Sequence, residues 1–307
     1  MRDCIVAATP KLYGGIEAGG TKFNCVLGWA PNQVVSRARL PTTTPEETLA
    51  AVIDFFAREQ DHHGPIAAFG LACFGPVDPN PASSSYGHIT RTPKPHWSNT
   101  DILGQLSQAF AVPFGFDTDV NGSALGEGQL GAAQGLSDYV YVTIGTGVGA
   151  GVVVNGRPLH GAMHPEIGHI LIPHDWQQDP YGGNCPFHGD CLEGLAAGPA
   201  IEKRWGQKAV ALDAEHQAWE LEAQYLAALC WNLTGSYAPQ RIILGGGVMQ
   251  QTHLFAKIRD KFHQLMNGYP TGPEARQPDS YIVPPRLGGD AGEAGALLMA
   301  QAADFRP

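Results

Sequence analysis

Leu12 to Val35 alternates apolar and small residues around Gly14, Gly15, Gly19 and Gly20. That pattern predicts two strands joined by a tight glycine turn. Thr44-Pro45-Glu46-Glu47 follows with a threonine placed to cap and two acids for a first turn, predicting a helix to about Glu59. Ile66 to Cys73 reads as a buried strand that stops at Phe74-Gly75-Pro76. Pro79 to Trp97 is rich in proline, serine and glycine, too polar for core, and reads as a surface excursion over a cleft.

Phe114 to Phe116 is a short strand, followed by Asp117-Thr118-Asp119 and a helical pattern from Val120 to Leu130. A helix starting at either acid sets a carboxyl at its positive end. Tyr139 to Ile144 and Gly149 to Val154 are two more strands, around Gly145-Thr146-Gly147, and this hairpin echoes the first. Helices are predicted at Pro199 to Trp205 and at Glu215 to Tyr237, the latter from the spacing of Leu221, Tyr225, Leu229 and Leu233. A strand from Arg241 to Leu244 runs into Gly245-Gly246-Gly247, and a helix continues to about Met266. Gly268 to Pro285 is a proline-punctuated loop with a strand at Tyr281 to Val283, and an alanine-rich helix spans Ala291 to Ala303.

Strands and helices thus alternate twice, each half opening with a glycine hairpin. The expectation is an α/β protein of two similar lobes with a cleft between them. The first lobe is expected over 1–117 and the second over 118–290, with a helix at about 291–307 packing back on the first.

Composition narrows the classes. The 307 residues allow a large core, and the 39 glycines and 24 prolines are spread among apolar segments, as in a loop-rich globular enzyme. A formal net charge of −10 argues against nucleic acid or an anionic membrane as main partner. No charged, then apolar, leader opens the chain, and no apolar run is long enough to span a bilayer. Cys4, Cys25, Cys73 and Cys230 lie in apolar or mixed segments and read as small buried residues. With the other two cysteines in a metal-like cluster, the expected compartment is reducing, hence the cytoplasm.

That cluster is Cys185, His188 and Cys191, three residues apart, so that a tight turn aims all three side chains at one point. Thiolates and imidazole suit Zn²⁺, which takes four tetrahedral ligands; His169 is the expected fourth, with His160, His164 and His174 as alternatives. Glu166 and Glu193 flank the cluster, and both are placed to accept hydrogen bonds from hydroxyl groups. Three glycine turns offer anion or nucleoside platforms. Gly15 to Phe23 adds the Thr21 hydroxyl and the Lys22 charge to bare backbone N–H groups at Gly19 and Gly20. Thr143 to Gly151 carries four glycines at alternate positions, where something must approach the backbone. Gly245 to Gly247 follows an apolar strand. Neither a P-loop nor a Rossmann fingerprint is present, so a nucleotide with its phosphates across the interlobe cleft is the expectation.

These motifs together resemble the ROK family of sugar kinases and repressors, of the actin–hexokinase superfamily, and within it the bacterial fructokinase branch. The resemblance runs from Gly15 to about Ala296 and rests on Gly-Ile-Glu-Ala-Gly-Gly-Thr-Lys-Phe, Phe-Gly-Pro-Val-Asp, Thr-Pro-Lys-Pro-His-Trp-Ser-Asn-Thr-Asp, Asp-Thr-Asp-Val-Asn-Gly-Ser-Ala-Leu-Gly-Glu, Thr-Ile-Gly-Thr-Gly-Val-Gly, Pro-Glu-Ile-Gly-His and Cys-Pro-Phe-His-Gly-Asp-Cys-Leu-Glu-Gly. It implies a two-lobed actin/hexokinase-like (ribonuclease H-like) ATPase fold with a zinc-binding loop, and transfer of the γ-phosphate of Mg-ATP to the 6-hydroxyl of a hexose, fructose first. Glucose, mannose or an N-acetylhexosamine are alternative acceptors, and a non-catalytic sugar-sensing regulator is the alternative from another class. The absence of a DNA-binding helix pair before Gly15 disfavours the last. By the resemblance, Gly19, Gly20, Thr21 and Lys22 with Gly145, Thr146 and Gly147 embrace the ATP phosphates, and Gly245, Gly246 and Gly247 line the adenosine side. Asp119 falls at the catalytic acid, with Asp117 its rival. Thr118, Glu166, His169 and Glu193 fall at sugar contacts, and His169 joins Cys185, His188 and Cys191 on a structural Zn²⁺. A homodimer is also implied. The sequence departs from the family pattern at Glu17, where many members have Asp, at Thr118, where many have Asn, and at His188, where many have cysteine. Lys94 and Trp97 are left between lining the sugar side and packing a lid.

Overall fold

The computed structural model describes residues 10–269 and 272–305. Cys4, residues 270–271 of the proline-punctuated loop and the last two residues of the C-terminal segment lie outside them. The chain forms two compact units, Met1–Gly122 with Gly292–Pro307, and Ser123–Ala291.

In the first unit β1 (Leu12–Ala18), β2 (Lys22–Ala30) and β3 (Gln33–Pro41) form an antiparallel meander. Helix α1 (Pro45–His63) follows, capped by Thr44, whose hydroxyl accepts from the Glu47 amide. Its buried residues Leu49, Val52, Phe55 and Phe56 recur at helical spacing, and it ends at Gly64. Next come β4 (Ile66–Cys73), the short paired strands β5 (His88–Ile89) and β6 (Thr100–Asp101), α2 (Ile102–Ala109) and β7 (Phe114–Thr118). β4 lies parallel to β1, and β7 parallel to β4. Phe69 on β4 is fully buried and packs on Phe56, Phe110 and Phe114 with ring centroids 4.8–5.0 Å apart. Each fully buried ring of this kind stabilises by roughly 1.5–3 kcal/mol.

Two expectations are corrected here. β3 was not anticipated; its residues are half-exposed or exposed, so the apolar alternation that marks a strand is faint. The stretch Pro79 to Trp97 is not wholly a surface excursion. Trp97 is fully buried against Phe23 and Phe74, and its indole N–H donates to the Thr43 carbonyl at 2.8 Å. A single aromatic with its one polar atom satisfied anchors an otherwise polar segment in the core. Lys94 Nζ donates to the neighbouring Thr42 carbonyl at 3.1 Å.

Helix α3 (Asp119–Leu130) carries the chain into the second unit. There β8 (Tyr139–Ile144), β9 (Val148–Val154) and β10 (Arg157–Pro158) repeat the antiparallel meander. Helices α4 (Leu192–Ala196), α5 (Gly198–Trp205) and α6 (Ala218–Tyr237) precede β11 (Arg241–Gly245), and α7 (Leu254–Met266) and α8 (Pro278–Tyr281) precede β12 (Ile282–Val283). β11 runs parallel to β8, and β12 parallel to β11. The spatial orders are β3-β2-β1-β4-β7 and β10-β9-β8-β11-β12, one arrangement used twice. The predicted continuous helix after Gly247 is instead a 3₁₀ turn, Val248–Gln250, and then α7, and Tyr281 ends α8 instead of opening a strand.

Helix α9 (Ala291–Asp304) returns the chain to the first unit. Leu297, Ala300 and Ala303 pack there with Tyr13, Val26 and Ala68, and Asp304 accepts from Lys11 and Tyr13. No described helix is long and apolar enough to cross a membrane.

Candidate active site

In the first unit the Gly19-Gly20-Thr21 turn is closed by the Gly19 amide donating to the Lys22 carbonyl at 3.0 Å. Thr42, just beyond β3, braces it: its hydroxyl donates to the Gly19 carbonyl at 2.7 Å and its amide to the Thr21 carbonyl at 3.1 Å. Thr21 and Lys22 are exposed, so hydroxyl and ammonium both stand in solvent. Behind the turn, burial raises the Glu17 carboxyl above its ordinary range, partly offset by the Asn24 side-chain amide, which donates to it at 2.6 Å.

The two rival acids before α3 have different surroundings. Asp117 is buried, and its Oδ1 accepts from the Thr118 amide at 2.8 Å and from the Asn121 side chain at 2.7 Å. Asp119 is half-buried at the first position of α3, with its Oδ1 accepting from the Val120 amide at 2.8 Å. Thr118 between them is buried and caps the helix, its hydroxyl accepting from the Asn121 amide at 3.1 Å. Asp117 therefore holds the turn together, while Asp119 carries a carboxylate at the positive helix end.

In the second unit the Gly145-Thr146-Gly147 turn joins β8 to β9. The Gly145 amide donates to the Gly147 carbonyl, and the Gly198 amide at the head of α5 donates to the Gly145 carbonyl, both at 2.8 Å. Glu193 on α4 reaches the same turn: its Oε2 accepts from the Val148 amide at 2.9 Å. A Cβ on Gly147 would lie 2.6 Å from that oxygen, so a side chain there would make the carboxylate shift. The Gly245–Gly247 turn lies alongside. Gly246 has φ +91°, and a Cβ there would meet the Ile144 carbonyl at 2.4 Å, so this position demands glycine.

His169, Cys185, His188 and Cys191 bring one ligand atom each to within 4.8 Å of one another. The Cys185 sulfur stands 3.7 Å from the Nδ1 atoms of His169 and His188, and the Cys191 sulfur 3.5 Å from His169 Nδ1. Zn–S near 2.3 Å and Zn–N near 2.0–2.1 Å give a tetrahedral edge of roughly 3.6 Å, so the donor set fits this ion in number, type and spacing. Burial, with Cys185 alongside, pushes the Cys191 thiol up to about 11; a dication is what would hold both sulfurs as thiolates. Of the alternative fourth ligands, His174 is hydrogen-bonded to Asp190 and the Asp179 carbonyl, and His164 Nδ1 lies 3.6 Å from Glu166 Oε1. Glu166 is exposed, and its carbonyl accepts from the His169 amide at 3.0 Å in the 3₁₀ turn Ile167–His169.

The second unit thus gathers the Gly145–Gly147 and Gly245–Gly247 turns, Glu193 and the four-residue cluster, while the first holds Gly19 to Lys22, Thr118 and Asp119. A sequence profile of the ROK family matches residues 13–303. The chain belongs to the ROK family. Its curated ROK relatives include the fructokinase of Pediococcus pentosaceus, 46% identical over 95% of this chain and 98% of that protein. The fructokinase of Zymomonas mobilis is 44% identical over 96% of this chain and 98% of its own. Among solved structures, the ROK hexokinase of Thermus thermophilus superposes with a TM-score of 0.76 at 27% identity, covering 95% of this chain and 98% of that one. The two-unit α/β architecture is thus a ROK hexokinase-like fold.

Three residues of the second unit gave no functional signal in the amino-acid pattern taken singly: Asp179, Arg204 and Glu222. Glu222 left a signal of placement only. It shares a helical stripe with Tyr225, Leu226 and Leu229, all buried on α6, so an acid was being placed in the core.

Proposed function

We propose that this ROK protein is an ATP-dependent fructokinase, a hexose kinase that moves the γ-phosphate of ATP to the 6-hydroxyl of D-fructose. The observation that carries the chemistry is the bond from the Val148 amide to Glu193. It sets an acid suited to sugar hydroxyls against a glycine turn suited to phosphates, and transfer between two substrates requires donor and acceptor sites to adjoin. The choice of fructose is supported by relatives named fructokinases that match this chain nearly end to end.

In this reading Gly19 to Lys22 and Gly145 to Gly147 hold the phosphates, and Gly245 to Gly247 the nucleoside. Glu166, His169 and Glu193 take the sugar hydroxyls, and the buried Thr118 hydroxyl orients the turn before α3. Asp119 accepts the proton of the attacking 6-hydroxyl, a role supported by its place at the first position of α3 while Asp117 braces the preceding turn. The Mg²⁺ that accompanies ATP supplies charge neutralisation at the phosphates. Cys185, His188, Cys191 and His169 would hold Zn²⁺, and four protein ligands leave it a structural ion. We place the enzyme in the cytoplasm, supported by the buried Cys25, Cys73 and Cys230, none of them in a disulfide.

A coupled ADP-release assay over fructose, glucose, mannose and an N-acetylhexosamine tests this. Fructose should lead in kcat/KM by at least about tenfold, the discrimination a site built on sugar hydroxyls readily supplies. A leading glucose would transfer the activity to another hexose, and no ADP with any sugar would remove the kinase reading.

A further inference from the structure

The segment Asp190 to Leu195 carries both Cys191 and Glu193, and its two ends are tied to one buried residue, Asp179. Asp179 is 4% exposed. Its Oδ2 accepts from the Tyr225 hydroxyl at 2.6 Å and pairs with Arg204 Nη2 at 3.0 Å. Arg204 Nη1 in turn donates to the Leu195 carbonyl at 3.0 Å, holding the downstream end. The Asp179 carbonyl accepts from His174 Nε2 at 2.9 Å, and His174 Nδ1 donates to Asp190 Oδ2 at 3.0 Å, holding the upstream end. Both nitrogens of His174 face oxygen atoms, so the ring is held on two sides. The side chains of His174 and Arg204 are 4% and 6% exposed. Neither touches the metal cluster.

A buried ionic network is costly in solvation and seldom adds net stability over an apolar core of equal volume. What it supplies is position: Asp179 and Arg204 are held as a buried ion pair, while Arg204 Nη1, both His174 nitrogens and the Tyr225 hydroxyl make directed hydrogen bonds. We infer that Asp179 is the positioning residue of the sugar side: through His174 and Arg204 it fixes both ends of Asp190–Leu195, and so sets where Cys191 meets its metal and where Glu193 stands against Val148. This rests on the fructokinase reading and on Glu193 as its sugar-side acid. It adds a residue 14 positions from Glu193 in sequence, the difference of 193 and 179, that touches no substrate.

The test uses the full-length protein as purified with its metal, and the variants Asp179→Asn, His174→Gln and Tyr225→Phe. Three quantities are measured: the rate of zinc release to a chromogenic chelator without substrates, the KM values for fructose and ATP with kcat, and the urea midpoint. Removing an outer-shell support typically weakens a metal site or activity about 10–100-fold. Asp179→Asn, which breaks the ion pair to Arg204 but keeps the carbonyl that holds His174, and His174→Gln, which cuts the upstream tie, should each therefore speed zinc release and raise the fructose KM by about tenfold or more, with ATP KM and kcat within about threefold. Tyr225→Phe, which cuts neither tie, should move only the urea midpoint. Folded variants that shift the midpoint alone would overturn the inference, leaving Asp179 a core residue. Should Asp179→Asn fail to fold, His174→Gln, which severs only the upstream tie, decides. A parent enzyme that makes no ADP from fructose rejects the underlying reading instead. A parent that is active yet zinc-free overturns the metal half and leaves the KM split to judge the Glu193 half.

Discussion

Glu193 Oε2 and the Val148 amide are 2.9 Å apart, with Gly147 giving up its side chain to make room. Gly147→Ala would bring a methyl group to 2.6 Å from that oxygen, so the carboxylate must shift relative to the amide. A hydrogen bond to a charged group contributes about 1.5–3 kcal/mol. We therefore expect a fall of about tenfold or more in kcat/KM for fructose together with a lower urea midpoint. A Gly147→Ala enzyme of parental activity and stability would show that the acid does not need the turn.

Asp119 and Asp117 should separate cleanly. Asp119→Asn is expected to lower kcat by about 10²–10⁴-fold, the usual size of a lost general base, while fructose KM and the urea midpoint hold. Asp117→Asn weakens the bonds to the Thr118 amide and the Asn121 side chain and should cost about 1–3 kcal/mol of stability with a much smaller loss of kcat. Steady-state kinetics and urea unfolding on both proteins check this, and a reversed pattern would exchange the two roles.

Cys191→Ser removes one of four ligands from the cluster. The purified parent should carry about one zinc per chain and the variant little. Loss of a structural metal should lower Tm by several degrees, at about 2–4 °C per kcal/mol for units of this size. Fructose KM should rise more than ATP KM, since Glu193 lies two residues beyond Cys191 at the start of α4. Elemental analysis with a melting curve decides, and a zinc-free variant of parental Tm and KM would detach the metal from the sugar side.

Glu222 predicts a pH effect on stability. It is fully buried, neither oxygen has a hydrogen-bond partner, and burial pushes its carboxyl well above the ordinary range against the pull of Arg204. The folded chain keeps a proton there that the unfolded chain releases, so stability from this residue is greatest in acid. It declines as pH rises from the ordinary carboxylate value toward the raised folded one. Glu222→Gln removes the titration, so its stability relative to the parent should grow between pH 4 and pH 7 in urea unfolding. A parent that instead gains on the variant over that interval would place an ionised carboxylate in the core.

The fold was legible in the sequence wherever one segment carried its own evidence. Ile66 to Cys73 is a continuous apolar run with glycine and proline on both sides, and β4 spans those residues. Cys185, His188 and Cys191 announced their convergence by spacing alone. Gln33 to Pro41 was silent because an edge strand with Arg37 and Arg39 in it has no buried face to pattern. The helix expected from Gly247 to Met266 breaks because the Gln251 amide bonds the Val248 carbonyl three residues back, a 3₁₀ closure invisible in propensity. Asp179, Arg204 and Tyr225 are far apart in sequence, and only the folded chain makes them neighbours.

The two units share one strand order, so their glycine hairpins occupy equivalent places in their sheets. Matched by strand position, Lys22 at the start of β2 corresponds to Val148 at the start of β9. At that shared place one hairpin presents a cation to solvent, whereas the other turns its amide onto an acid. A single architecture used twice thus carries two separate occupations.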